Sequence, residues 1–234
     1  MTLSWRTRLH PAAVRAERAE QQPMRELFRR HYADLLRLAH CLLGDRPLSE
    51  DAVVDAFASL ARAGSPLEDP DVAPRHLASA VIRGCRSRVH GLAREHALDP
   101  LQAIDLLRMS AADGGLPDTD PGAAGDPSEP GGTLHRLRHR QREVVVCRYH
   151  LHLSAAETAD LLGVTRGAVT RRVARAGQSV SALEATHSLE RRFRDDLRAL
   201  AGICVTDADV ERALERLAVL RRGVRLWSRS RSLP

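Results

Sequence analysis

SAAETADLLGVTRGAVTRRVARA, residues Ser154 to Ala176, decides how the rest of the chain is read. Ser154 and Glu157 have the spacing of a capping box, in which the hydroxyl accepts from the Glu157 amide and the carboxylate accepts from the Ser154 amide. The helix that follows buries Ala159 and Leu162 and stops at Gly163, where a positive φ carries little penalty. Thr165 is a good N-cap for a second helix. Two short helices joined by a Gly-containing turn make a helix-turn-helix.

In the second helix Val169, Val173 and Ala176 share one face at i, i+4 and i+7. Arg171 and Arg175 fall on the opposite face, with Thr170 beside them and Arg166 in the first turn. Arg172 sits on the flank, where a phosphate is the expected partner. Recognition helices turn their N-terminal and outward residues into the DNA major groove, where Arg reads guanine bidentately. A solvated basic helix on a bundle is the plainer reading of the same charges. Cap, turn, apolar seam and outward Arg agree on the DNA reading.

The chain has 234 residues, enough for a real core and two small domains. Aromatics are scarce, and Pro and Gly cluster between periodic segments, so the expected class is all-α with linkers. The net charge is +6, and every one of its 36 basic residues other than His is Arg. That exclusivity, with abundant Ala, fits codon bias in a GC-rich bacterial genome. The basic excess favours a polyanionic partner through counterion release. Cys41, Cys85, Cys147 and Cys204 form no C-x-x-C pair, and Cys41 and Cys85 lie in apolar-periodic stretches. Buried thiols in a reducing cytoplasm are expected. No apolar run has the length of a membrane span or of a signal-peptide core, so a cytoplasmic protein is expected.

Residues 1–22 are polar and Arg-rich and read as an N-terminal extension. Residues 23–94 read as a three-helix unit. Its first helix begins at Met24 and carries Phe28, Tyr32, Leu35, Leu36, Ala39, Leu42 and Leu43 to Gly44-Asp45. Pro47-Leu48-Ser49 is expected to cap the second, with Val53, Val54, Phe57 and Leu60 as its stripe. The third runs from about Pro74 to Ala93, with a basic outer surface. Residues 95–133 are acidic and Gly/Pro-rich, too poor in apolar residues to pack, and read as a flexible linker. Residues 134–184 hold the helix-turn-helix. Residues 185–234 give two more apolar stripes, split by Gly202 and a Thr206–Asp209 capping box. A helical hairpin packing on the helix-turn-helix domain or on a partner is expected, ending in a basic tail with Trp227 that either touches nucleic acid or acidic protein or is disordered, with disorder expected for the last few residues.

Three segments in order carry a family resemblance. ELFRRHYADLLRLAHCLLGDRPLSEDAVVDAFASLARA resembles the second domain of bacterial sigma factors of the extracytoplasmic-function type. APRHLASAVIRGCRSRVHGLAR resembles the promoter-reading helix that follows it. LHRLRHRQREVVVCRYHLHLSAAETADLLGVTRGAVTRRVARA is similar to that family's fourth domain, including the R-Q-R-E-V run at Arg140–Val144. The resemblance covers about residues 24–184 and points to an actinobacterium-like genome. It implies two small helical domains, a three-helix second domain and a helix-turn-helix fourth domain, with core RNA polymerase and promoter DNA as partners. It also implies that the linker threads polymerase channels, although a plain solvated linker accounts for its composition equally well.

The resemblance assigns roles residue by residue. Asp51 and Asp55 are implied to dock on the polymerase, while Phe57 belongs to the core. His76, Arg83, Arg86 and Arg88 are implied to meet the downstream promoter element as it opens. Arg166, Thr170, Arg171, Arg172 and Arg175 are implied to bind the upstream element as duplex. The family usually carries Gln at Val54, Trp at Ala61 and aromatic rings on the third helix. Flipped bases normally stack on such rings. These departures favour an alternative, a helix-turn-helix regulator that does not melt promoters. The C-terminal extension is a possible site for an anti-sigma factor or other regulator. His135, His139, Cys147, His150 and His152 match no standard zinc spacing, so no metal or other cofactor is expected. No nucleophile elbow, phosphate loop or paired catalytic acids are present, and no catalytic site is expected.

Overall fold

The computed structural model describes residues 11–63, 73–98, 102–103, 134, 137–181 and 189–230. Most of the acidic segment lies outside them, as do Trp5, His135, the side chain of Trp227 and the last four residues. Among the described residues every regular element is helical, as the sequence predicts.

Helix α1 spans Pro11–Leu43 and therefore starts upstream of the expected Met24. Its predicted stripe is buried from Phe28 to Leu43. Phe28 stacks on Tyr32 with ring centroids 4.9 Å apart and meets Phe57 at 4.6 Å. The helix ends at Gly44, whose φ of 73° suits a residue without Cβ. Helix α2 spans Arg46–Ala63. Its cap is Asp45, not the Pro47–Ser49 turn: the Leu48 amide donates to Asp45 Oδ1 at 2.7 Å. Asp45 offers an acceptor one turn earlier, and Pro47 then falls in the first turn, where its missing N–H removes no helical bond. Ser49 is buried inside the helix, and its hydroxyl donates to the Asp45 carbonyl.

Helix α3, Ala73–Glu95, buries Leu77, Val81, Ile82, Cys85 and Val89 against α1 and α2. Helix α4, His139–Val145, runs on into a π-helical turn, Val146–His150, closed by the Leu151 amide on the Val146 carbonyl at 3.1 Å. Helices α5, Ala155–Leu162, and α6, Arg166–Ser181, form the predicted helix-turn-helix. The Glu157 amide donates to Ser154 Oγ at 3.2 Å, and the Ser154 amide donates to Glu157 Oε2 at 2.8 Å. The Ala168 amide donates to Thr165 Oγ1 at 3.2 Å. Gly163 has φ 63°. Gly163→Ala should therefore lower stability by about 1 kcal/mol, with Gly163→Asn losing less. Urea unfolding of the three proteins tests this.

Helices α7, Leu189–Ala201, and α8, Asp207–Ser230, form the expected hairpin. The Thr206 amide donates to Asp209 Oδ2 at 2.9 Å, and the Asp209 amide returns to Thr206 Oγ1 at 3.3 Å. Its packing is wider than expected. Helix α7 lies on α1 and the π turn, and α8 lies on α2 and α1. Phe193, Leu197, Ala213, Leu214 and Leu217 are buried in one apolar cluster with Leu35, Val53 and Val144. The C-terminal stripes thus complete a core that both earlier units share. Cys41, Cys85 and Cys147 are buried and Cys204 is exposed. Burial pushes the three buried thiols up to about 12. No helix among the described residues is long and apolar enough to cross a membrane.

Candidate nucleic-acid interface

Helix α6 is anchored by buried Val169 and Ala176 and half-buried Val173, which fixes what its other faces present. Arg166, Thr170, Arg171 and Arg175 are exposed, and Arg172 is half-buried on the flank. The Thr170 hydroxyl donates to the Arg166 carbonyl at 3.2 Å, which orients the Thr methyl group. Arg171, Arg172 and Arg175 line an open cleft with Arg138 and Arg140 from the start of α4 and with His90 from α3. Burial lowers the Arg172 guanidinium, Glu143 opposes this, and Arg140 and Arg86 lower it further. A phosphate in the cleft would relieve that crowding of like charge. The sequence assigns neither Arg138 nor Arg140 to DNA contact, and Arg140 enters only as the start of the R-Q-R-E-V run. They flank the start of a seven-residue helix, too short to display a period.

The third-helix candidates divide in two. His76 and Arg83 are exposed, and Arg83 Nη1 donates to Ser79 Oγ at 2.9 Å. Arg86 and Arg88 are held by carboxylates. Arg88 Nη2 donates to Asp55 Oδ2 at 2.6 Å. Arg86 makes a two-pronged contact with Glu143, at 2.7 and 2.8 Å. Glu143 is fully buried, and His139 Nε2 lies 3.1 Å from Oε1, the same oxygen that accepts from Arg86 Nε. Its neighbour Arg142 is also fully buried. Arg142 donates to the Leu134 carbonyl at 3.0 and 2.7 Å and to the Leu42 carbonyl, in the last turn of α1, at 3.1 Å. A cation at a helix C-terminus meets the negative end of the dipole. The R-Q-R-E-V run therefore ties the helix-turn-helix unit to the three-helix unit. Arg75 to Glu157 at 3.1 Å and the Ser79 hydroxyl to the Leu161 carbonyl at 3.3 Å add to that contact.

Burial tends to raise the Glu143 carboxyl, but the His139 and Arg86 contacts outweigh it and hold the group below its ordinary value. A depressed folded value stabilises the fold fully above the unfolded carboxyl value, roughly pH 4.3, and the effect is lost as pH falls through the folded value. Of the histidines considered for zinc, His139 faces Glu143. Among the described residues no group of three or more His, Cys, Asp or Glu is placed to hold a metal.

The acids assigned to docking both have partners within the chain. Asp51 accepts from Arg216 of α8, and Asp55 accepts from Arg88 of α3. Arg216 also stands 3.8 Å from Glu50. Phe57 is fully buried, as expected.

Residues 133–181 match the family described as Sigma-70, region 4. The ECF RNA polymerase sigma factor SigM of Mycobacterium tuberculosis is 30% identical over 151 residues, 64% of this chain and 71% of that protein, in strain H37Rv. The same figures hold for strain Erdman. No solved structure gives a significant match.

Proposed function

The chain belongs to the extracytoplasmic-function sigma factors of the sigma-70 family, and from that premise we propose a two-handed promoter reader without a catalytic site of its own, acting in the cytoplasm. As a sigma factor it works with core RNA polymerase and promoter DNA. The helix-turn-helix unit, residues 134–184, binds the upstream minus-thirty-five element as duplex. The unit of residues 23–94 engages the minus-ten element as it opens through the exposed His76 and Arg83, and Arg86 and Arg88 join them on exchanging Glu143 and Asp55 for phosphate. The segment 95–133 links the two. Asp51 and Asp55 dock on basic side chains of the polymerase.

The observation that carries this reading is the outward array on α6. Arg166, Thr170, Arg171 and Arg175 are exposed together on a helix whose opposite face is buried, next to a cleft lined by further Arg. Base-edge reading calls for that exposure, and phosphate anchoring calls for that charge. The test is binding of the purified chain to a mycobacterial core polymerase, followed by a gel shift on promoter duplex. Co-elution with core and salt-sensitive duplex binding are expected. Absence of any core complex would remove the reading.

One observation favours a second reading, a duplex-binding regulator that does not melt DNA. The exposed positions of α3 include Arg75, His76, Arg83 and Ser87, with only the imidazole to stack on a flipped base. Permanganate reactivity of promoter thymines separates the two: reactivity with core present supports melting, and its absence supports the regulator.

A further inference from the structure

The C-terminal hairpin makes its contacts where the polymerase would. Arg216 of α8 donates to Asp51 and lies 3.8 Å from Glu50. Arg46, in the first turn of α2, donates to the Cys204 carbonyl at 3.0 Å and stands 2.9 Å from Asp209. Glu211 takes two bonds from Arg29 of α1, at 3.0 and 2.8 Å. Beneath these pairs Ala213, Leu214 and Leu217 are buried. The other arm, α7, reaches the second unit. Phe193 stacks with Tyr149 of the π turn at 5.8 Å, and the Leu134 amide donates to Asp196 at 3.3 Å. The hairpin thus straps one unit to the other across α1.

We propose that this hairpin is an intrachain cover for the docking face of α2, and that core polymerase binds only after α8 has lifted away. The inference rests on the assignment of Asp51 to docking. Arg216 offers Asp51 the guanidinium that a basic polymerase surface would offer, so the two occupants compete for one carboxylate. The strap is built to be displaced. Its pairs with Arg29, Glu50 and Asp51 are part-exposed, a class that contributes little to stability, while Arg46–Asp209 is more enclosed. Among the described residues, the apolar seam that α8 buries is three side chains, Ala213, Leu214 and Leu217. The recognition face of α6 stays exposed in the strapped chain. Covering therefore separates two activities: duplex binding is available in full while polymerase docking is weakened. Since apparent affinity scales with the competent fraction, a chain that is mostly strapped binds core correspondingly more weakly than its open form.

The test uses the full chain with Arg216→Glu and Glu211→Arg together, a swap that leaves net charge unchanged. It turns the attractions to Asp51, Glu50 and Arg29 into repulsions. Core polymerase affinity is measured by fluorescence anisotropy, duplex promoter affinity by gel shift, and release of α8 by hydrogen exchange. The expected result is core binding about tenfold tighter than in the parent chain, faster exchange in α8 and unchanged duplex binding. Arg216→Gln, which removes the attraction without adding repulsion, should shift core affinity the same way by less. Core affinity equal to or below the parent's, in both variants, overturns the inference. Loss of core binding in the parent and both variants, with duplex binding intact, has a different signature. It removes the docking reading and the inference together.

Discussion

Glu143→Ala is expected to lower stability by about 3 kcal/mol near neutral pH, a large effect for a single side chain. The reason is what remains behind. Arg86 is half-buried, and Glu143 is the carboxylate that both the Arg86 fork and His139 face. Removing one member of a buried pair leaves a desolvated charge without its counterion. Glu143→Gln keeps the shape and one acceptor and should lose about 2 kcal/mol. The pH dependence follows from the depressed carboxyl of Glu143. The gap between parent and variant should be complete above roughly pH 4.3 and should shrink as acid protonates the parent's carboxylate. Urea unfolding from neutral to acid pH measures both. A constant gap across that range would mean that the charge of Glu143 is not what holds the two units together.

The second large effect concerns DNA. Arg171→Ala and Arg175→Ala should each weaken binding to the preferred duplex by about 1–3 kcal/mol and relax base preference at one position. Arg172→Ala, on the flank and in the Arg-lined cleft, should weaken binding to all duplexes alike. It should also reduce the salt slope by about 1. Binding measured against a randomised duplex pool at several salt concentrations separates these behaviours. If Arg171→Ala and Arg172→Ala behave alike, α6 does not read bases.

The helix-turn-helix was legible because its signals are local. The Ser154 and Thr165 caps, the glycine at 163 and the Val169–Ala176 seam each act within a few residues, and each holds in the structure. The Pro47–Ser49 cap failed because Asp45 and Ser49 are both good caps and only the backbone decides between them. The pairs that define the molecule were not legible. Glu143 meets Arg86 across 57 positions and Asp51 meets Arg216 across 165. No periodicity reports a partner at that distance. A fully buried Arg142 also runs against the ordinary habit of arginine, and nothing in R-Q-R-E-V distinguishes it from exposed Arg140. The hairpin stripes predicted helices correctly, while the surface they would cover depended on contacts with α1 and α2.

The central claim is that the chain reads a promoter with two hands on behalf of a polymerase. Its most direct test is run-off transcription on genomic DNA with a mycobacterial core polymerase, with and without the chain, followed by mapping of the transcript ends. The account predicts a discrete set of chain-dependent starts that share an upstream element, and that set should be lost with Arg171→Ala. Stable duplex binding with no chain-dependent transcript would contradict it.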